Sequence, residues 1–299
     1  MILSFGSVNL DLIATVERLP RAGETVLGPG YRALPGGKGA NQALAARRAG
    51  AVAQLVGSVG RDAFAAPALA ELAAAGVGLE HVVRHQTAPT GCALICVDSK
   101  GENQIAVALG ANAELKAKHV PDALLTGETI LLLQREVTPE ESWSLARRAA
   151  ARGARVLLNL APCGEVPADV LRALDWLILN EGEAAELARA HGIGSDASEF
   201  AKALGIGVVA TLGAEGIAAC RGHERWRVPA LAISPVDTTG AGDAAVGGFA
   251  AALDRGAPPE EALRWASVAG ALACLTPGAQ SSLPSEREIR DALPRLTPK

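Results

Sequence analysis

Short apolar runs recur along the chain, separated by stretches whose apolar residues follow helical spacing. Ile2–Val8, Val52–Val59, Thr129–Leu133, Val156–Asn159, Trp176–Leu179 and Val208–Leu212 read as strands. Helices are predicted after the glycine turn at Pro35, ending at Gly50, and over Ala63–Ala75, ending at Gly76. Further helices are expected at Glu140–Arg152, Glu181–Ala190 and, last, Glu286–Leu293. Strands alternating with helices imply an α/β fold: a doubly wound, mostly parallel sheet flanked by helices, with right-handed crossovers. Ligands of such sheets bind beyond the C-terminal ends of the strands. The polar residues that follow the strands are therefore candidates for a site: Asn9, Asp11, Glu136, Asn180, Glu183 and Thr211.

Two segments break this pattern. In residues 13–35, Thr15, Val16, Thr25, Val26, Leu27, Tyr31 and Leu34 are punctuated by Pro20, Gly23, Gly28, Pro29 and Gly30, which predicts short antiparallel strands with turns. In residues 88–108, TGCALICVDSKGENQIAVA reads as a hairpin turning at Asp98–Gly101. Neither segment carries helices to cover it, so the two are expected to pair as one small sheet. That sheet is inserted in an α/β domain made of residues 1–12, 36–87 and 109–299.

Composition narrows the function. Half of the 299 residues are apolar, mostly Ala, Leu and Val, and only 3% are aromatic. An extensive core is within reach, but few rings remain to stack nucleic-acid bases. A net charge of −4 with no basic run argues against a polyanionic partner. The N-terminal MILSFGSVNLDLI has no basic region before its apolar residues, and no apolar stretch is long enough to span a bilayer. The five cysteines are scattered and odd in number, so they suit buried thiols in a reducing cytosol better than a disulfide framework or a zinc site. The histidines lack metal-ligand spacing and no Gly-X-Ser-X-Gly run occurs. No dinucleotide fingerprint follows the first strand, which argues against a dehydrogenase.

The most informative stretch is PVDTTGAGDAAVGGF, Pro235 to Phe249, a glycine-rich turn running into an apolar helix. A helix start offers unsatisfied N–H groups and partial positive charge to an anion, and glycines let the backbone come close to it. Asp243 sets a carboxylate in that place, either as a helix cap or as a base for an attacking hydroxyl. GGKGAN is not a phosphate-binding Walker loop, because Gly39 follows Lys38 where Ser or Thr is needed. Its polar trio Lys38, Asn41 and Gln42 either opens a helix or donates to a polyhydroxylated ligand. Glu183 in NEGE complements a helix dipole or holds hydrated Mg²⁺. TLGAEG, Thr211 to Gly216, is a tight turn that also suits phosphates at the sheet edge.

Taken together these motifs resemble the ribokinase-like carbohydrate kinases nearly end to end. The resemblance rests on GSVNLD (Gly6 to Asp11), PRAGET (Pro20 to Thr25), GGKGAN, GAN at Gly110, Glu136, NLAPC (Asn159 to Cys163), NEGE, TLGAEG, DTTGAGD and PGAQSSLP (Pro277 to Pro284). It implies a β-sheet lid on the α/β domain, the lid also forming a homodimer contact. It implies ATP-dependent phosphorylation of a sugar, D-ribose at its 5-hydroxyl first, with fructose, deoxyribose and nucleosides as alternatives. A non-catalytic sugar sensor on the same scaffold is the other reading. The resemblance assigns sugar contacts to Asn9, Asp11, Gly37, Lys38, Asn41 and Glu136, the base to Asp243 and an anion hole to Gly240, Ala241 and Gly242. Nucleotide contacts fall to Asn180, Thr211, Gly213, Ala214, Gly216, Gly242 and Ser267, and Mg²⁺ to Glu183. A K⁺ loop falls to Asp237, Thr239, Ala273, Thr276, Gly278 and Ser282. The chain departs from the family pattern at Ala244, Ala245 and Val246, where Thr or Ser, Phe and often Asn are usual. It departs again at Ser267 and Pro277.

Overall fold

The computed structural model describes residues 1–192 and 194–296; Ile193 and residues 297–299, the end of the expected α/β range, lie outside it. The apolar runs form buried strands. β1 (Ile2–Phe5), β4 (Ala53–Val56), β9 (Ile130–Leu133), β10 (Arg155–Asn159), β11 (Trp176–Asn180) and β12 (Gly207–Thr211) pair in parallel. Two antiparallel strands, β13 (Ile217–Arg221) and β14 (Glu224–Val228), extend one edge, giving the order β14-β13-β12-β11-β10-β9-β1-β4. The sequence pattern did not reveal this hairpin; its only signal is the short turn around Gly222.

Successive side chains on a strand point to opposite faces, and this sorts the core into two layers. Ile2, Leu132, Leu157, Ile178 and Val209 pack with α1 (Lys38–Arg48), α2 (Ala65–Ala75), α7 (Ala241–Asp254), α8 (Pro259–Ala273) and α9 (Glu286–Ala292). Leu3, Phe5, Leu131, Leu133 and Leu158 pack with α3 (Pro139–Ala151), α4 (Ala168–Arg172), α5 (Glu181–His191) and α6 (Ala197–Leu204). The buried Ser4 hydroxyl donates to the Gly39 carbonyl at 2.8 Å, which fixes the start of α1 to β1. Helices α1 and α7 lie close together because Gly247 has no side chain: a Cβ there would lie 2.6 Å from the Ala46 nitrogen. That contact brings the first turns of the two helices side by side.

The second sheet has the order β3-β2-β7-β8, with β2 (Asn9–Thr15), β3 (Tyr31–Gly36), β7 (Gly91–Val97) and β8 (Asn103–Ala108). The two helix-free segments therefore do pair, through parallel β2 and β7. Asn9 and Asp11 lie inside β2, not beyond a strand end, so the small sheet begins four residues before the expected boundary at residue 13. The polar residues looked like an edge because they alternate with Leu10 and Leu12, and alternation puts Asn9 and Asp11 on one face. Residues 16–30 hold no strand, contrary to the pattern. Arg18 and the Arg21 amide both bond Glu24 within the segment, while the Val16 amide donates to the Val97 carbonyl at 2.9 Å and the Glu17 carbonyl accepts from the Ser99 hydroxyl at 3.0 Å, tying its start to the far end of β7. A pair of two-residue strands, β5 (Ser58–Val59) and β6 (Val83–Arg84), completes the set. All five cysteines are free thiols; Cys220 and Cys274 are buried, whereas Cys92, Cys96 and Cys163 are only half-buried, contrary to expectation. No helix among the described residues is long and apolar enough to cross a membrane.

Candidate active site

The first turn of α7 is the centre of the site. Gly240 caps the helix in the left-handed region (φ 79), a backbone conformation that side chains disfavour. Asp243, three residues on, is only 7% exposed. Asn41 Nδ2 donates to one of its oxygens at 2.9 Å and Gln42 Nε2 to the other at 2.9 Å. Gln42 Nε2 also donates to Asn159 Oδ1, and Gln134 Nε2 donates to Gln42 Oε1 at 2.7 Å. Gln280 Nε2 in turn donates to Asn41 Oδ1 at 3.1 Å. Asn41, expected on the sugar, thus has its amide committed to Asp243 and Gln280. Gln134, Asn159 and Gln280 were absent from the expected site. The sequence signal for Gln134 was a polar residue directly after the fully apolar ILLL of β9.

A second cluster surrounds Glu136, just past β9. Its Oε2 accepts from the Ser7 hydroxyl at 2.6 Å and the Lys38 amide at 2.9 Å. The Lys38 ammonium is held above its usual range chiefly by Asp243, then by Glu136 and Glu183, against the opposing effect of burial. Asn9 Oδ1 accepts from Asn112 Nδ2 at 2.8 Å, and Asn112 also takes both main-chain groups of Val8. Asp11 is pushed up to about 7, mainly by burial and then by the charge of Glu136. Its Oδ1 is buried and has no hydrogen-bond partner among the described residues. A buried unpartnered oxygen is costly, and a ligand hydroxyl satisfies it. Gly37 caps α1 (φ 91) between these two clusters.

On the other side of the α7 turn lies a cavity of about 490 Å³, within the range of small-molecule sites. Thr211, Gly213, Ala214 and Gly216 from the loop after β12 line it together with Gly242 and Ser267. All six were expected to meet a nucleotide. Its floor is apolar, from Ile217, Leu231 and Ile233, and this part of the wall was not foreseen. Ser267 Oγ donates to the Pro229 carbonyl at 2.7 Å, so its hydroxyl fixes the wall. Ala244, Ala245 and Val246 are buried in the α1–α7–α8 core, with Ala245 also lining the cavity. The departure from the family pattern falls on packing and on the pocket, leaving Asp243 in place.

Asn180 and Glu183 form a reciprocal capping box at the start of α5, with distances of 2.8 and 2.9 Å. Burial pushes the Glu183 carboxyl up, while the Asn180 amide and Lys38 pull it down. The cap uses Glu183 Oε2, so one carboxylate oxygen, Oε1, remains for a divalent ion that keeps its waters, which is how Mg²⁺ commonly binds. Asp237 accepts from the Thr239 amide at 2.9 Å and hydroxyl at 2.6 Å, and its other oxygen accepts from the Gly278 amide at 2.9 Å. It therefore caps its own turn and also ties that turn to the PGAQSS segment. Burial works to raise the Asp237 pKa, but the Thr239 and Gly278 hydrogen bonds outweigh it and hold the carboxyl low. Ser282 Oγ donates to the Ala279 carbonyl, Ala273 is buried and Thr276 is exposed. This set of carboxylate, hydroxyl and carbonyl oxygens suits a hard monovalent cation. No cluster of three His, Cys, Asp or Glu residues occurs among the described residues.

The chain has clear relatives. A family model described as pfkB family carbohydrate kinase matches residues 1–286. Ribokinase of Bacillus subtilis (strain 168) is 34% identical over 290 residues, covering 96% of this chain and 97% of that protein. The crystal structure of ribokinase from Thermotoga maritima matches with a TM-score of 0.91 at 33% identity, over 98% of this chain and 99% of that one. Arabidopsis thaliana ribokinase complexed with ribose and ATP matches with a TM-score of 0.87 at 31% identity, over 98% of each chain. Fold, motif order and end-to-end similarity agree, and the chain belongs to the pfkB family of carbohydrate kinases.

Proposed function

We propose that this chain transfers the γ-phosphoryl group of ATP to the 5-hydroxyl of D-ribose. The observation that carries the reading is the α7 turn: Ala241 and Gly242 line the cavity, and the next residue, Asp243, is the buried carboxylate held by α1. Similarity to ribokinases, one of them solved with ribose and ATP, supports the substrate pair. Phosphoryl transfer requires mostly positioning and charge stabilisation from a protein. The ribose oxygen attacks the γ-phosphorus, its proton passes to Asp243, and the bond to the β-phosphate oxygen breaks, releasing ADP. The amides of Gly240, Ala241 and Gly242 meet the charge that develops on the phosphoryl group. Asn9, Asp11, Gly37, Lys38 and Glu136 hold the sugar, with Asn41 offering it the one N–H that Asp243 does not use; Asn180, Thr211, Gly213, Ala214, Gly216, Gly242 and Ser267 hold the nucleotide.

Glu183 is the residue that holds Mg²⁺, an ion that neutralises phosphate charge when bound. Asp237, Thr239, Ala273, Thr276, Gly278 and Ser282 hold K⁺. The small sheet, built from the segments 9–36 and 91–108, acts as a lid that excludes water and as the contact surface of a homodimer. The fully exposed β8 and its hydrophobic Ile105 and Val107 support that surface. The five free thiols suit a cytoplasmic enzyme.

Measuring ADP release with ribose, deoxyribose, fructose and nucleosides tests the function; ribose gives the highest kcat/KM, and no release with any sugar leaves only the sensor. The cation is tested by salt. Activity rises with K⁺ and not with tetramethylammonium at equal ionic strength, which screens charge but does not enter a small oxygen cage. Asp237→Ala removes that difference. Equal activity in both salts, with alkali ions excluded, overturns the K⁺ site.

A further inference from the structure

The hydrogen bonds to the Asp243 carboxylate among the described residues come from two neutral side-chain amides, whose polarity is determined. An ionised carboxylate only accepts, so both Asn41 and Gln42 must turn their NH₂ groups toward it. Asn41 then presents its oxygen to Gln280, which answers with its own NH₂ at 3.1 Å. Gln42 uses its second N–H on Asn159 and presents its oxygen to the NH₂ of Gln134. Gln42, Gln134 and Gln280 are each no more than 1% exposed, so water does not compete for these groups. Gln280 is itself fixed from behind: Arg48, on the same helix as Asn41, donates to the Gln280 carbonyl at 2.6 Å and to the Leu283 carbonyl at 3.1 Å. Two residues before it, the Gly278 amide bonds Asp237.

We infer that Gln280 is a positioning residue for phosphoryl transfer. Acting through Asn41, it holds that amide with its NH₂ toward Asp243 and so aims the carboxylate at the attacking hydroxyl. It also gives the Asp237–Gly278 turn a mechanical route to the base, separate from the anion-hole amides. The inference rests on Asp243 being the base, as proposed above.

The test compares Gln280→Met with Gln280→Glu, assayed as full chains with ribose and ATP, with thermal melts confirming a folded fraction. Met fills the space but gives Asn41 no donor, and kcat falls about 10-fold, in line with the cost of small misplacements, while both KM values stay within about twofold. Glu is nearly isosteric with Gln but offers only acceptors when ionised. Asn41 must turn its NH₂ toward it and its oxygen toward Asp243, so kcat falls further than with Met. In an Asn41→Ala background the Met substitution lowers kcat no further, because the connection is already cut. A packing role gives the opposite pattern: lower melting temperature, unchanged kcat and additive effects. If Asp243→Asn is inactive while both Gln280 variants turn over like wild type, the inference is wrong although the base assignment stands. If Asp243→Asn turns over normally, both fall.

Discussion

Asp243→Asn lowers kcat by about 10²–10⁴-fold, the usual contribution of a general base, with ribose and ATP still bound. The substitution keeps the size of the side chain and one accepting oxygen. It removes the group that takes the proton, and it turns an NH₂ toward either Asn41 or Gln42, each of which presents a donor at 2.9 Å. One of these amides must rotate, so a modest loss of stability accompanies the loss of turnover. Calorimetric titration with ribose separates the two effects, since binding persists in a folded variant. Turnover within a few-fold of wild type removes Asp243 from the base role.

Asp11→Ala weakens ribose binding and leaves ATP binding nearly unchanged. A hydrogen bond to a charged group contributes roughly 1.5–3 kcal/mol, or about 10- to 150-fold in the sugar constant. The cavity proposed for the nucleotide is lined by none of the β2 residues, so the ATP constant has no reason to move. The same carboxyl makes stability depend on pH. Without sugar, the folded chain holds the Asp11 proton up to about 7, whereas the unfolded chain releases it near the ordinary value of 3.8. Between those values the folded state binds more protons, so the Asp11 contribution to stability is full below pH 4 and is lost as pH rises through 7. Melting temperatures of wild type and Asp11→Asn across pH 4–8 check this: the variant loses less stability over the window. Parallel pH curves contradict the raised Asp11 carboxyl, and equal losses for both ligands in Asp11→Ala remove Asp11 from the sugar site.

Much of the scaffold was legible because buried parallel strands have no polar face to obscure them. ILLL of β9 and WLIL of β11 are buried throughout and stand out as unbroken apolar runs. The start of β2 was misplaced for the converse reason: Asn9 and Asp11 are polar residues within a strand. The β13–β14 hairpin escaped notice because its strands are short and its first follows a glycine turn that reads as a loop. In the site, the glycine turns and Asp243 were visible because backbone requirements leave a mark on local sequence. The amide chain was not. Gln280 and Asn41 lie 239 residues apart, and only the packing of the C-terminal segment on α1 makes one the partner of the other. The capping box at Asn180 shows the limit of a short motif, since the same two side chains serve the helix end whether or not a metal is bound.

Phosphorus NMR of a reaction with ribose and ATP bears most directly on the enzyme as a ribose 5-kinase. ATP should give ADP and one new phosphate ester in equal amounts, the ester phosphorus coupled to the methylene protons of carbon 5, and Asp243→Asn should form it far more slowly. An ester on any other carbon, inorganic phosphate alone, or ATP left intact with ribose present would contradict it.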